Sequence, residues 1–207
     1  IEAAATVVIN LKDSLNEWDG KVGDGDCGST MCRGATAILE DMKNYPLNDA
    51  AETVSEIGSS IRRVMGGTSG IIYNLLCKAA YAELKANSQS ETTSKHWSEA
   101  LKSSISAVSK YGGATAGYRT MLDALIPASK VLEEKLSVGE DPIAAFVLSA
   151  EAATAGAEST IHMKAQAGRS SYVSAEIFAS IPDPGAMAAA AWYSAAARAV
   201  KEQRQRF

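Results

Sequence analysis

The sequence predicts an all-α protein. Apolar residues recur at the three- to four-residue spacing of amphipathic helices along the 207-residue chain, and glycine or proline residues separate these segments. No segment alternates apolar and polar residues between hairpin turns, so strands are not expected. The connections are mostly short, which favours antiparallel neighbours. We therefore expect an eight-helix up-and-down antiparallel barrel or bundle.

The eight predicted helical segments cover residues 3–16, 29–43, 48–65, 69–86, 95–110, 117–136, 141–163 and 186–204. Helix-breaking residues separate most of them, namely Pro46, Gly66, Gly67, Gly112, Gly113, Gly139, Pro182 and Pro184. The polar residues 87–94 lack helical periodicity and predict a surface loop between the fourth and fifth helices. The last two helices are rich in alanine, which favours helix formation and close packing.

Composition indicates a soluble globular protein, because 46% of the residues are hydrophobic and 21% are charged. We expect a single domain over residues 1–207. The net charge of −4 argues against a nucleic-acid partner, and no apolar run is long enough to predict a membrane span. Three cysteines, an odd number at low density, favour a reducing compartment, so a cytoplasmic location is expected.

An acidic segment precedes the second helix. Asp19, Asp24 and Asp26 are interleaved with four glycines between Trp18 and Thr30. Glycine lets the backbone turn tightly enough to bring the carboxylates together, and a divalent cation such as Mg²⁺ would relieve their repulsion. This pattern predicts a metal site for phosphate chemistry. The alternative is a solvated loop in which the three charges do not meet.

Two other types of binding loop are excluded. An EF-hand that begins at Asp24 would need ligands where the chain has Gly28 and Ala35. A Walker A motif is absent, so no P-loop lysine is available to phosphates. Metal ions would have to neutralise the phosphate charge.

Four polar or glycine-rich segments lie at ends of predicted helices, where backbone N–H groups and the helix dipole favour anions. They are residues 28–30, 66–70, 112–117 and 167–185. Arg169, in the last of these, is a candidate to neutralise a terminal phosphate, although a surface ion pair is the commoner role of an arginine. The two histidines, His96 and His162, lie in predicted helices and are expected to be structural.

Five motifs, taken in order, resemble the nucleotide-binding L-type domain of the dihydroxyacetone kinase family. They are Asp19 with Val-Gly-Asp24-Gly-Asp26-Cys-Gly-Ser-Thr, Met65-Gly-Gly-Thr-Ser-Gly70, Gly117-Tyr-Arg-Thr-Met-Leu-Asp123, Gly168-Arg-Ser-Ser-Tyr172 and Asp183-Pro-Gly185. The resemblance extends over nearly the whole chain. It implies an eight-helix barrel that binds ATP or ADP at one rim, together with two Mg²⁺ ions.

The resemblance also implies roles for individual residues. Asp19, Asp24 and Asp26 would hold the metal ions, and with Arg169 they form the predicted catalytic set. The residues implied to line the phosphates are Cys27, Gly28, Ser29, Thr30, Thr68 and Ser69. The residues implied to border the rest of the nucleotide are Gly112, Met121, Arg169, Asp183, Pro184 and Gly185.

The chain departs from the family pattern at two places. Residues 113–118 read Gly-Ala-Thr-Ala-Gly-Tyr, where many relatives have a Pro-Gly-Asp step. Cys27 stands where the phosphoprotein-dependent branch tends to have histidine, which favours the ATP-dependent branch.

In this family a separate K-type domain holds the acceptor, so the resemblance implies that this chain is half of an enzyme. We expect the K-type domain before Ile1 or in a partner subunit, with a homodimer formed through that domain. The implied reaction is phosphorylation of dihydroxyacetone or glyceraldehyde. The alternatives are an L-type subunit with tightly held ADP in phosphoprotein-dependent transfer, FMN cyclase activity, and a purely structural helical interaction domain.

Overall fold

The computed structural model describes residues 1–87, 91–168, 171 and 180–206, and it confirms the all-α prediction. The described residues form nine α-helices and no strand. The α-helices are α1 Glu2–Asn10, α2 Lys12–Val22, α3 Cys27–Asp41, α4 Ala50–Val64, α5 Gly67–Ala86, α6 Ser94–Gly112, α7 Leu122–Ser137, α8 Pro142–Ser159 and α9 Pro184–Gln205. Short 3-10 helices follow α3 and α8, at Met42–Asn44 and Thr160–His162. None of the described helices is both long and apolar enough to cross a membrane.

Side-chain caps fix several helix starts. Asp49, Asp141 and Asp183 each accept a hydrogen bond from a backbone N–H three residues later, at the starts of α4, α8 and α9. Thr93 forms a capping box with His96 at the start of α6, which gives this histidine a structural role. Each cap satisfies backbone donors that the first turn of a helix leaves without partners.

The structure differs from the predicted helices at three places. The first predicted segment is divided at Leu11, where the backbone has φ −86° and ψ 0° and the sequence has neither glycine nor proline. Helix α2 then continues to Val22, through residues that were predicted to be a loop. Helix α7 begins at Leu122 rather than at residue 117, because Gly117 and Arg119 both have positive φ.

One compact unit comprises residues 1–29 and 114–207. In this unit α7 packs against α8, while α9 packs against α8 and α1. Alanine fills much of its interior, and the fully buried alanines include Ala124, Ala128, Ala145, Ala153, Ala157, Ala186, Ala188 and Ala189. Small side chains let these helices approach closely, since there is little volume to place between them.

Residues 30–113 form the second compact unit, in which α4 packs against α5 and α5 against α6. Its core includes the packed cluster of Ala51, Ala80, Leu84 and Ala100. Buried polar groups add links between these helices. The Ser104 hydroxyl of α6, for example, donates to the Leu76 carbonyl of α5 at 2.9 Å.

Gly156 lies where α8 closely approaches α7. A Cβ atom on Gly156 would collide with the carbonyl oxygen of Asp123 and would lie 3.1 Å from Pro127 Cγ. We expect Gly156→Ala to lower the free energy of unfolding by about 2 kcal/mol, because the clash with backbone exceeds the gain in helix propensity. Urea denaturation measures this change.

The matched control is Glu158→Ala, an exposed site two residues further along α8. That variant should remain within about 0.5 kcal/mol of the unsubstituted protein. Equal stability of the two variants would contradict the close packing at Gly156.

Candidate metal and nucleotide site

The connection between α2 and α3 folds back onto the last turns of α2. Gly25 has φ +79°, and a Cβ atom there would lie 3.4 Å from the Cα atom of Gly20. The positive φ favours glycine at position 25, where the loop and the helix touch. This contact places Asp24 and Asp26, on either side of Gly25, beside Asp19 of α2.

The three carboxylates converge. One oxygen from each of Asp19, Asp24 and Asp26 lies within 4.8 Å of the other two. Asp19 is half-buried, whereas Asp24 and Asp26 are exposed. Three carboxylates at such distances repel one another at neutral pH, and a hard divalent cation that prefers oxygen ligands would relieve the repulsion. The donor set therefore fits Mg²⁺, and its exposed side leaves positions for water and phosphate oxygens.

The Asp19 carboxylate also starts α3. Its Oδ2 atom accepts hydrogen bonds from the backbone N–H groups of Asp26 and Cys27, at 2.9 and 3.0 Å. These bonds fix the orientation of the carboxylate relative to the loop. Asp19 is thus a structural residue as well as a member of the cluster.

The first turn of α3 is tied to α2 through Asn16. Asn16 Oδ1 accepts from the Ser29 N–H at 2.9 Å, and Asn16 Nδ2 donates to Ser29 Oγ at 2.9 Å. A Cβ atom on Gly28 would collide with the Lys12 carbonyl oxygen, so only glycine fits there. The backbone N–H groups of Cys27 and Ser29 are therefore engaged within the protein, which was not expected from the sequence.

Cys27 carries a neutral thiol. Burial, together with the negative charges of Asp19 and Asp183, raises its pKa to about 12. Since the thiolate is the nucleophilic form of cysteine, this environment argues against nucleophilic catalysis by Cys27.

A buried polar network lies beneath the turn that carries Met121. The Arg119 guanidinium donates from Nε to the Thr160 carbonyl at 3.2 Å and from Nη2 to the Ile181 carbonyl at 2.5 Å. Its Nη1 atom lies 4.0 Å from Asp183 Oδ1. Arg119 belongs to one of the five motifs, but the sequence assigned it no role, and Thr160 belongs to none of them. The positive φ of Arg119, which would have drawn attention to it, cannot be read from sequence.

Asp183 is buried at the start of α9, where its Oδ2 atom accepts from the Ala186 N–H at 2.8 Å. Its own N–H donates to Thr160 Oγ1 at 2.8 Å. Burial raises the pKa of Asp183 to about 6, although the Ala186 N–H and the Arg119 guanidinium oppose this shift. The nearby charges of Asp123 and Asp19 reinforce it.

In the second unit, Thr68 and Ser69 lie in the first turn of α5, directly after Gly67 with φ +64°. Gly112 is the last residue of α6, and a Cβ atom there would lie 3.9 Å from Ile72 Cδ1 of α5. Thr68, Ser69 and Gly112 therefore share one end of this unit.

Thr30 is buried, and its hydroxyl accepts from Arg33 Nη2 at 3.0 Å. Arg169 lies outside the described residues, as does Tyr172 of the same motif.

The described structure is an all-α domain with an acidic cluster whose geometry fits a divalent cation. Residues 21–198 match the DAK2 domain. The chain therefore belongs to the DAK2 family, the L-type domain of dihydroxyacetone kinase, and the resemblance drawn from the motifs is confirmed.

Similar proteins are longer than this chain. It is 72% identical over 204 residues to the "Putative 3,4-dihydroxy-2-butanone kinase" of Solanum lycopersicum, a match that covers 98% of this chain and 34% of the tomato protein. It is 40% identical over 192 residues to the "Triokinase/FMN cyclase" of Homo sapiens, covering 92% of this chain and 32% of the human protein. The chain thus spans about a third of the length of these curated relatives.

A solved structure supports the same assignment. The crystal structure of the dihydroxyacetone kinase from C. freundii in complex with AMP-PNP and Mg²⁺ matches with a TM-score of 0.75 and 32% sequence identity. The match covers 96% of this chain and 32% of that chain.

The raised pKa of Asp183 predicts a pH dependence of stability. Between the unfolded value of 3.8 and the folded value of about 6, the folded state binds more protons than the unfolded state. Stability therefore falls as the pH rises through this window and levels off above it. Asp183→Asn should abolish this contribution while keeping a competent helix cap.

We expect the difference in unfolding free energy between the unsubstituted protein and Asp183→Asn to fall by about 2 kcal/mol between pH 4 and pH 7. Urea denaturation in EDTA at several pH values measures it. Parallel pH profiles for the two proteins would show that Asp183 titrates in the folded state as it does in the unfolded chain.

Proposed function

We propose that this chain is the MgATP-binding half of a kinase that phosphorylates a short hydroxyketone or hydroxyaldehyde, with dihydroxyacetone or glyceraldehyde as the acceptor. The observation that carries the proposal is the convergence of Asp19, Asp24 and Asp26 at the start of α3. Membership of the DAK2 family and the AMP-PNP and Mg²⁺ complex of the C. freundii relative support it.

The proposed mechanism is one of positioning and charge neutralisation. Asp19, Asp24 and Asp26 would hold the metal, which supplies positive charge to the phosphates and to the leaving group. Two ions are proposed because the resemblance implies two. The cap on α3 prevents Asp19 from turning away, so the cluster is preorganised. We propose that Arg169 neutralises charge on the transferred phosphoryl group.

The nucleotide would occupy the residues implied by the resemblance. Thr68 and Ser69, at the N-terminus of α5, would face its phosphates, where the helix dipole favours anions. Gly112, Met121, Asp183, Pro184 and Gly185 are proposed to border the nucleoside. Cys27, Gly28, Ser29 and Thr30 are proposed beside the phosphates. Because the N–H groups of Cys27 and Ser29 have partners within the protein, these two would contribute through their side chains or through water.

The acceptor requires a second domain. The curated relatives are about three times as long as this chain, so we propose a K-type domain in the same polypeptide or in a partner subunit, and a homodimer through it. The names of the relatives specify 3,4-dihydroxy-2-butanone, a triose or dihydroxyacetone as the acceptor, and all of these are small polyhydroxylated carbonyl compounds. This shared chemistry supports the acceptor class.

FMN cyclase activity is a second candidate, favoured by the name of the mammalian relatives that are 38–40% identical to this chain. It would use the same metal cluster, because its reaction also breaks a phosphoanhydride bond. Incubation of the protein with Mg²⁺ and FAD, followed by chromatography for cyclic FMN, tests this activity.

The cytoplasm is the proposed location. Cys27, Cys32 and Cys77 are all free thiols in the described structure, which is compatible with a reducing compartment. Localisation of the tagged full-length protein in its own cells tests this proposal.

The metal role of the cluster predicts a specific loss of binding. Asp24→Asn and Asp26→Asn should each weaken MgATP binding more than about 100-fold, because each removes a charged ligand. Calorimetric titration measures the affinity, and circular dichroism should show unchanged helicity. Asp19 is a poorer test, since its carboxylate also caps α3.

Glu17→Gln is the matched control. Glu17 is an exposed carboxylate of α2 that pairs with Lys21 at 2.8 Å, outside the cluster. This variant should bind MgATP as the unsubstituted protein does, and EDTA should abolish binding in both. Tight, magnesium-dependent binding by either aspartate variant would overturn the proposed metal site.

A further inference from the structure

Two segments proposed to border the nucleoside touch each other although they are far apart in sequence. One is the turn that carries Met121, and the other is the turn formed by Asp183, Pro184 and Gly185. A Cβ atom on Gly185 would lie only 4.0 Å from the Met121 backbone nitrogen. Neither segment belongs to the interior of a helix, so their relative position must be fixed by tertiary contacts.

The Arg119 side chain provides these contacts. It projects from the Met121 turn and donates to the carbonyls of Thr160 and Ile181. Ile181 lies two residues before Asp183, and the Thr160 hydroxyl accepts from the Asp183 N–H. The third nitrogen of Arg119 lies 4.0 Å from Asp183 Oδ1. Because the guanidinium is planar and rigid, hydrogen bonds from two of its nitrogens restrict the relative orientation of the two turns. Only 1% of Arg119 is exposed, so the side chain has no access to a ligand in solvent.

The backbone around Arg119 is held in a conformation that an L-residue rarely adopts. Its φ is +62°, which is disfavoured for residues other than glycine. Asp123 stabilises this turn, since Oδ1 accepts from the Gly117 N–H at 2.5 Å and Oδ2 from the Thr120 N–H at 2.8 Å. Local strain of this kind persists only where the surrounding structure enforces it, and it is found preferentially at functional positions.

We propose that Arg119 is a positioning residue that joins the Met121 turn to the Asp183 turn, so that the two form a single wall for the nucleoside part of the nucleotide. The inference rests on the proposed function, because it assumes that a nucleotide binds. Arg119 acts through the two turns and does not touch the ligand. The metal and phosphates have a separate set of residues, led by Asp24 and Asp26.

This separation of roles makes the proposal testable with two ligands that share the same phosphates. Arg119→Met places an unbranched apolar side chain at this position and removes every donor, whereas Arg119→Lys keeps the charge without the planar fork. Calorimetry would give the affinity of each variant for MgATP and for magnesium tripolyphosphate. Both variants should bind MgATP about tenfold more weakly or worse. Their affinity for magnesium tripolyphosphate should stay within about twofold, since that ligand has no nucleoside.

Ser149→Ala is the control for a general loss of stability. The Ser149 hydroxyl is fully buried and lies 3.0 Å from the Tyr193 hydroxyl, in the same compact unit. This variant should melt at a lower temperature and bind both ligands normally. The lysine variant preserves the test if the methionine variant does not fold.

Equal loss of both ligands in the arginine variants, or MgATP affinity within twofold of the unsubstituted protein, would overturn the positioning role. Failure of the unsubstituted protein to bind MgATP would instead overturn the proposed function on which this role depends.

Discussion

The site depends on the position of the Asp19 carboxylate. One of its oxygens accepts the N–H groups of Asp26 and Cys27, and these bonds set where α3 begins and where the preceding loop runs. Since Asp24 and Asp26 belong to that loop, the same interaction brings three negative charges together. The stabilisation from capping α3 thus offsets part of the electrostatic repulsion among the three carboxylates, and the attraction of a bound cation would offset the rest.

Close backbone approach is the second requirement of this unit. Gly28 lies against the Lys12 carbonyl and Gly156 against the Asp123 carbonyl, so even one added methyl group would separate the paired elements. The alanine-rich interior likewise allows whole helices to approach one another closely. A core built from small side chains buries less apolar surface for each residue, and it relies on closer packing to compensate. Close packing fixes the positions of the turns between helices, where the candidate ligands lie.

Negative charge is concentrated around the start of α3. Asp19, Asp24, Asp26 and Asp183 all raise the pKa of the Cys27 thiol, and Asp19 and Asp123 raise the pKa of Asp183. Arg119 is a buried cation that opposes this negative potential, and its Nη1 atom lies 4.0 Å from Asp183 Oδ1. Its guanidinium therefore has an electrostatic role as well as a geometric one, because it stabilises the ionised form of a carboxyl group that burial alone would protonate.

The sequence by itself determined the all-α class, the approximate extent of most helices and the residues of the acidic cluster. These features depend on local information, namely periodicity, helix-breaking residues and an unusual density of aspartate and glycine. Only the tertiary structure decided the break at Leu11, the extension of α2 through Asp19 and the burial of Arg119. Arg119, for example, is buried by contacts with Thr160 and Ile181, which are distant in sequence, and such contacts leave no signal in the local pattern of residues.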